Sequence, residues 1–165
     1  MIIRHERPGE EDAIRELTQT AFAPQRFSDG SEGAIIDGLR AAGDLFLSLV
    51  AEDDGEIIGH AAFSPAQISE AQGDWYGLGP MSVRKDKQRK GIGRALIETG
   101  LAELSQNGGV GCALTGNPNI YQRIGFTSDG ALHHVGTEDR HVHWRVIKGA
   151  EPKGQLTFAP ALNDS

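Results

Sequence analysis

The sequence predicts an α/β chain built on a mixed sheet with flanking helices, and three stretches carry that expectation. Leu45 to Ala51 and Ile57 to Phe63 are apolar runs joined across Asp53-Asp54-Gly55, a turn of hairpin type, so they form an antiparallel pair. Tyr76 to Val83 and Val110 to Thr115 are apolar runs separated by a helix-length segment, which makes them parallel neighbours with a right-handed crossover. Ile14, Leu17, Ala21 and Phe22 recur at helical spacing, so a helix precedes the hairpin.

Taken in order, Met1 to His5 is a first strand. Pro8 opens the first helix, with Glu10, Glu11 and Asp12 in the turn where negative charge suits the dipole. Ala23 to Asp29 breaks the pattern with a proline, and Asp29 or Ser31 caps a second helix through Ile35, Ile36 and Leu39 to a stop near Gly43. After the hairpin, Ser64 to Asp74 reads as a polar connection. Gly77, Gly79 and Pro80 lie inside the strand from Tyr76 to Val83, where a regular ladder tolerates them poorly, so a bulge or a splayed partner is expected.

The next helix presents Ala95, Leu96, Ile97, Leu101, Ala102 and Leu104 to the sheet and ends at Asn107-Gly108-Gly109. Asn117-Pro118 starts a short helix through Tyr121 and Ile124 that Gly125 stops, and Phe126 begins another strand. His141 to Ile147 alternates, with Val142, Trp144 and Val146 on one face, as a half-buried strand does. Beyond Gly149, Leu156 to Phe158 alone suggests order and the final ALNDS frays. Residues 1–148 are thus expected to be one domain and 149–165 a partly ordered extension.

At 165 residues, with 38% hydrophobic and 24% charged residues, the chain has material for one real core. No window approaches the roughly 18 apolar residues of a membrane span, and no targeting segment is read at the N-terminus. Cys112 is the only cysteine, so no internal disulfide forms and a cytoplasmic setting is expected.

Charge is distributed unevenly. The chain has 16 Lys+Arg against 23 Asp+Glu, a formal −7, yet five of the seven residues from Arg84 to Lys90 are basic. This basic run leads through Gly91 and Gly93 into a helix start, where unpaired amides and the macrodipole attract anions. A merely solvated charged turn is the plainer reading. Two phosphate loops are excluded by spacing: no Gly-x4-Gly-Lys-Ser/Thr run occurs, and Leu96 stands where a dinucleotide fingerprint needs its third glycine. Nucleic-acid binding through the turn is disfavoured because the negative whole would repel the polymer.

The run Gln88-Arg89-Lys90-Gly91-Ile92-Gly93 is similar to the Gln/Arg-x-x-Gly-x-Gly/Ala signature of the GCN5-related N-acetyltransferases (GNAT), and Tyr121 four residues before Gly125-Phe126 resembles a second signature of that family. Gly59-His60, Phe63-Ser64-Pro65, Leu78-Gly79-Pro80 and Tyr121 to Phe126 resemble its YhbS-type branch. The resemblance implies the acyl-CoA N-acyltransferase fold, a mostly antiparallel sheet with a splayed parallel pair. It also implies acetyl-CoA as cosubstrate without a metal, and an amine acceptor. Backbone groups of Met81, Ser82 and Val83 would meet the pantetheine arm, and Gln88, Arg89, Lys90, Gly91, Ile92, Gly93 and Arg94 would hold the phosphates. No nucleic-acid or membrane partner is implied, and the chain is expected as a monomer or homodimer.

Acetyl transfer needs a deprotonated amine, donors for an oxyanion and a proton for the leaving thiolate. Tyr121, expected at a helix start, is the candidate for that proton, with a ring packed in the core as its bland alternative. Asn117 and Asn119 would hydrogen-bond the cofactor arm, or serve as turn and cap residues. Many relatives carry a Glu in the strand before the turn, but residues 76–83 hold no carboxylate. His60 is therefore the candidate base, against a satisfied core histidine, with Glu70 or Asp74 acting through water behind it. His133, His134, His141 and His143 do not form a recognised zinc spacing, and Cys112 has no base placed for it. A catalytically weak acyl-CoA-binding sensor is the alternative function. The acceptor is expected between the loops 23–31, 67–74 and 129–140.

Overall fold

A computed structural model describes residues 1–23 and 32–163. Strands β1 (Ile2–His5), β2 (Leu47–Asp53), β3 (Glu56–Glu70), β4 (Asp74–Val83), β5 (Gly109–Thr115), β6 (Leu132–His133), β7 (Val142–Val146) and β8 (Lys153–Phe158) alternate with helices α1 (Glu11–Phe22), α2 (Glu32–Ala41), α3 (Ile92–Gln106), α4 (Pro118–Tyr121) and α5 (Pro160–Asn163). The main sheet runs β1-β2-β3-β4-β5-β7, and β8 joins it through β3. Only β4–β5 is parallel in that order, as the crossover through α3 requires.

The sheet buries both faces. Toward α3 lie Leu49, Ala51, Ile58, Ala61 and Phe63 against Ile92, Leu96, Ile97 and Leu104. Gly100 is the point of closest approach, since a Cβ there would sit 2.2 Å from Cζ of Phe63. Toward the other face, Ile14 of α1 and Ile36 of α2 cover Val50, while Ile35 and Leu39 cover Ala62. The hairpin turn is as read, with Asp54 and Gly55 both at positive φ.

Several expectations are corrected. The stretch expected as a polar connection is the second half of β3, which changes partner: residues 56–63 pair with β2 and Ala66 to Glu70 with β8. Pro65 falls at the junction. The Phe63 carbonyl accepts from Phe46 on that edge, so residue 65 points its missing N–H the same way, where neither partner asks for one. The helix expected from Pro8 begins at Glu11, because Gly9 at φ +94° turns the chain and the Glu10 carboxylate is taken by Arg4 at 2.7 Å. Ala102 is exposed rather than on the packed face.

Phe126 opens no strand. It is buried in the core, and its neighbour Thr127 makes a single bridge to Trp144. β7 is buried on both faces at its start, with His143 as enclosed as Val142. The C-terminal residues expected to fray form α5 as far as Asn163, whose side chain accepts from the Phe158 amide at 3.0 Å. The expected cap of α2 at Asp29 or Ser31 lies outside the described residues.

Candidate active site

The site begins where β4 and β5 part. Their pairing covers Asp74 to Gly77 against Gly109 to Ala113 and then stops. Opposite, Met81 faces Ala61 and Leu78 faces Phe63, so Gly79 and Pro80 together oppose the single residue Ala62 as a bulge. Gly79 sits at φ +150°, which only glycine adopts readily. Met81, Ser82 and Val83 stay paired with β3, while their β5-facing backbone edge is left without a strand partner among the described residues. The Ser82 hydroxyl turns the other way, 3.3 Å from Thr18 of α1.

β4 runs directly into the basic turn. The Gln88 side chain donates to the Val83 carbonyl at 3.0 Å, which folds the turn back on its own strand. Arg89 at φ +64° and Gly91 at φ +83° bring the chain round into α3. Gly91 is the residue before that helix, and no side chain caps it, so the amides of the first turn face outward. The buried Ile92 side chain pins this start to the core.

Not every cation of the run is free for a ligand. Arg84 is held by Glu56 and Asp86, both at 2.7 Å, and Lys87 lies 4.0 Å from Asp53. Arg89, Lys90 and Arg94 are exposed and form no ion pair with a described residue. The residues thus fit a polyphosphate: three unneutralised cations surround an uncapped helix start. A Cβ on Gly91 would meet nothing, and one on Gly93 only the flexible end of Met81 at 3.4 Å, so both glycines leave a surface that a ligand can approach.

Beyond the end of β5, Asn117 caps α4, its side-chain oxygen accepting from the Asn119 amide at 2.9 Å. Asn119 itself is exposed. Tyr121 stands at the last residue of α4 and not at a helix start. Its ring contacts Phe126 edge-on at 6.1 Å and His143 at 5.6 Å, and fills the space that a side chain on Gly116 would need. Its hydroxyl bonds to no described residue, and burial raises the phenol above its ordinary range, so it keeps its proton at neutral pH.

His143, first considered as a metal ligand, instead supports this corner. Its Nε2 is 2.9 Å from the Gly116 carbonyl, which can only accept, so the proton is on Nε2. Burial lowers its pKa, and Nδ1 is a buried lone pair without a partner among the described residues. His133 is paired with Asp139 and His134 with Thr137 and Asn163. Among the described residues no three His, Cys, Asp or Glu side chains cluster.

The candidate bases are corrected by position. His60 is 0% exposed, on the sheet face beneath α1 and α2, with Nε2 2.7 Å from Ser48 Oγ. Ser48 donates in turn to Glu6, which Arg40 holds at 2.8 Å. Burial, seconded by the Arg40 charge, pushes the imidazole down to about 3. The ring is neutral but enclosed, and no proton of a substrate amine can reach it in this arrangement. A cleft of about 340 Å³ beside the relay, lined by His5, Glu6, Arg40, Phe46 and Ser48, lies on the β1 side, away from the splay. Asp74 opens β4 at the end opposite the splay, roughly 20 Å from Met81 at strand rise, and Glu70 lies beyond it. The stretch 67–74 does not border the site for the same reason. Cys112 is fully buried and pushed up to about 12, so it is a thiol at neutral pH.

Residues 44–128, which span the bulge, the turn and Tyr121, match the family model described as an acetyltransferase (GNAT) domain. The chain belongs to the GNAT family. The N-acetyltransferase YhbS of Escherichia coli K12, itself uncharacterized, is 34% identical over 81% of this chain and 77% of its own length. Among solved structures, a GNAT acetyltransferase from Brucella melitensis in complex with acetyl-CoA is 42% identical, with a TM-score of 0.85 over 98% of this chain and 97% of the other. YhbS from E. coli, in complex with CoA, is 27% identical with a TM-score of 0.88, over 98% and 91%. The splay, bulge and basic turn described above are thus set in a GNAT fold from first strand to last helix.

Proposed function

We propose that this GNAT domain transfers an acetyl group from acetyl-CoA to a primary amine of a small molecule or protein, by direct attack within a ternary complex. One observation carries the reading: the uncapped start of α3, with Arg89, Lys90 and Arg94 exposed and in no ion pair with a described residue, follows directly on the strand whose pairing with β5 stops at Gly77. When bound, the cosubstrate supplies an acyl carbon made electrophilic by its thioester. The first-turn amides and the three cations hold its phosphates, and the free edge of Met81 to Val83 hydrogen-bonds its arm and orients the carbonyl. Tyr121 gives its proton to the departing sulfur. A cytoplasmic setting suits a chain whose one cysteine is a buried thiol.

A sensor that binds the acyl thioester without turnover is the second reading, favoured by the lack of a carboxylate in residues 76–83 and by the sequestration of His60. A thiol-release screen with acetyl-CoA against polyamines, amino acids, aminoglycosides and peptides separates the two. Release with none of them, in protein that binds acetyl-CoA, decides for the sensor. With an acceptor in hand, Tyr121→Phe is expected to slow the single-turnover rate by about 10²- to 10⁴-fold with cofactor affinity unchanged. A wild-type single-turnover rate would make Tyr121 a packing residue only.

A further inference from the structure

The reaction needs a base on the acceptor side of the splay, and neither β4 nor His60 supplies one. Glu32 opens α2, and at helical spacing it shares a face with Ile35 and Leu39. That face packs on Ala62, the residue opposite the bulge, and on Ala159 and Leu162. Leu162 in turn covers the bulge itself, 3.6 Å from where a Cβ on Gly79 would stand.

The direction of α2 places its two ends. Arg40 reaches Glu6 at the β1–β2 edge, and Ile36 lies over Val50 of β2. Glu32 lies about 12 Å back along the axis, and the Gly33 amide beside it donates to Gln19 of α1 at 2.8 Å, next to Thr18, whose hydroxyl is 3.3 Å from Ser82, so this end of α2 comes to the β4 side near Ser82. The residue is half-buried, and its Oε2 is buried with no hydrogen-bond partner among the described residues. A helix-start carboxylate that served only the dipole would stay in water. Burying a carboxylate oxygen without a donor is costly, and a site that retains one is built for a donor that arrives.

We infer that Glu32 is the general base of the transfer, its donor being the ammonium group of the acceptor. This rests on the transferase reading above. The carboxylate takes one ammonium proton. The nitrogen lone pair then forms the C–N bond at the acyl carbon, the C–S bond breaks with its electron pair going to sulfur, and Tyr121 protonates the sulfur. The second amine proton returns to the Tyr121 oxygen through water, and Glu32 releases its own to solvent. Other charged groups around α2 are already engaged: Arg15 with Asp12 and Asp37, Arg40 with Glu6, His60 with Ser48, and His134 with Thr137 and Asn163. α5 brings no ionisable side chain.

Two measurements on the full chain test the inference. In CoA-loaded protein, n-butylammonium ion is expected to shift the backbone amide signals of Glu32 and Leu162, and Glu32→Gln to abolish those shifts while CoA affinity stays within twofold. With an acceptor from the screen, Glu32→Gln is expected to lower kcat/KM by about 10²- to 10⁴-fold at pH 7, with much of the loss recovered at alkaline pH where the amine is free without help. Glu32→Asp should keep part of the rate. No ammonium-dependent shift in the wild type, or a Glu32→Gln profile that follows the wild type across pH, overturns the assignment. If no amine is acetylated, the transferase reading falls, and the ammonium titration still decides whether Glu32 meets an amine. If Glu32→Gln fails to fold, Glu32→Asp and the wild-type titration carry the test.

Discussion

His60 shows why a residue's type does not settle its role. An imidazole in a strand next to the proposed reaction suggests a base, yet its neighbours on that sheet face are Val50 and Ser82, roofed by α1 and α2. Its consequence lies in stability. The folded pKa of about 3 is below the ordinary 6.5, so the unfolded chain binds the extra proton in that interval. The His60 contribution is complete above pH 6.5 and is lost as the pH falls toward 3, by up to about 1.4 kcal/mol per unit. Urea unfolding of the wild type between pH 7 and pH 5 is expected to lose about 2 kcal/mol that His60→Gln, which keeps a donor for Ser48, does not lose. Parallel pH slopes for the two proteins would mean that the ring is protonated in the fold.

At the scale of elements, the turn between β4 and α3 combines two properties that the chain needs separately. Its backbone is bent by Arg89 and Gly91 at positive φ, and its helix start is left open to a ligand by Gly93. Gly93→Val separates them. The added Cβ meets only the mobile end of Met81, and valine is no worse than glycine in a helix, so the melting temperature should move by a few degrees at most. The two methyls then stand over the first-turn amides. Calorimetry is expected to show acetyl-CoA affinity lowered at least about tenfold, since one displaced phosphate contact of about 1.4 kcal/mol suffices. Unchanged affinity in a folded variant would remove the phosphates from this turn.

For the molecule as a whole, the C-terminal segment is a structural member. β8 covers the edge of β3 from Ala66 to Glu70, Leu156 and Phe158 are buried, and α5 packs against α2 beside the bulge. Ending the chain at Gly149 would strip an edge strand and uncover Ile68, Trp75 and Trp144. Two large side chains at about 1.5–3 kcal/mol each are a large part of an ordinary domain's 5–15 kcal/mol. The truncated protein is expected to unfold at much lower temperature and to aggregate on size-exclusion chromatography. A truncation that melts with the full chain would show that the core closes without β8.

The sequence by itself determined the local elements and the ligand turn: the hairpin at Asp54-Gly55, the strand–helix–strand crossover, and the join of basic run, glycines and helix start. Each is legible because its cause lies within a few residues, in φ preferences, apolar period or unpaired amides. Only the tertiary structure decided the rest. Ser64 to Ala66 pair with the nearby β4, but whether 67–70 is loop or strand depends on β8, some 90 residues away, and the alternation of Ala66 and Ile68 with Gln67 and Ser69 was its one local trace. Whether His60, His143 or Glu32 can meet a substrate depends on which helix covers it, and that is fixed by how whole faces pack, a property no window of the chain contains.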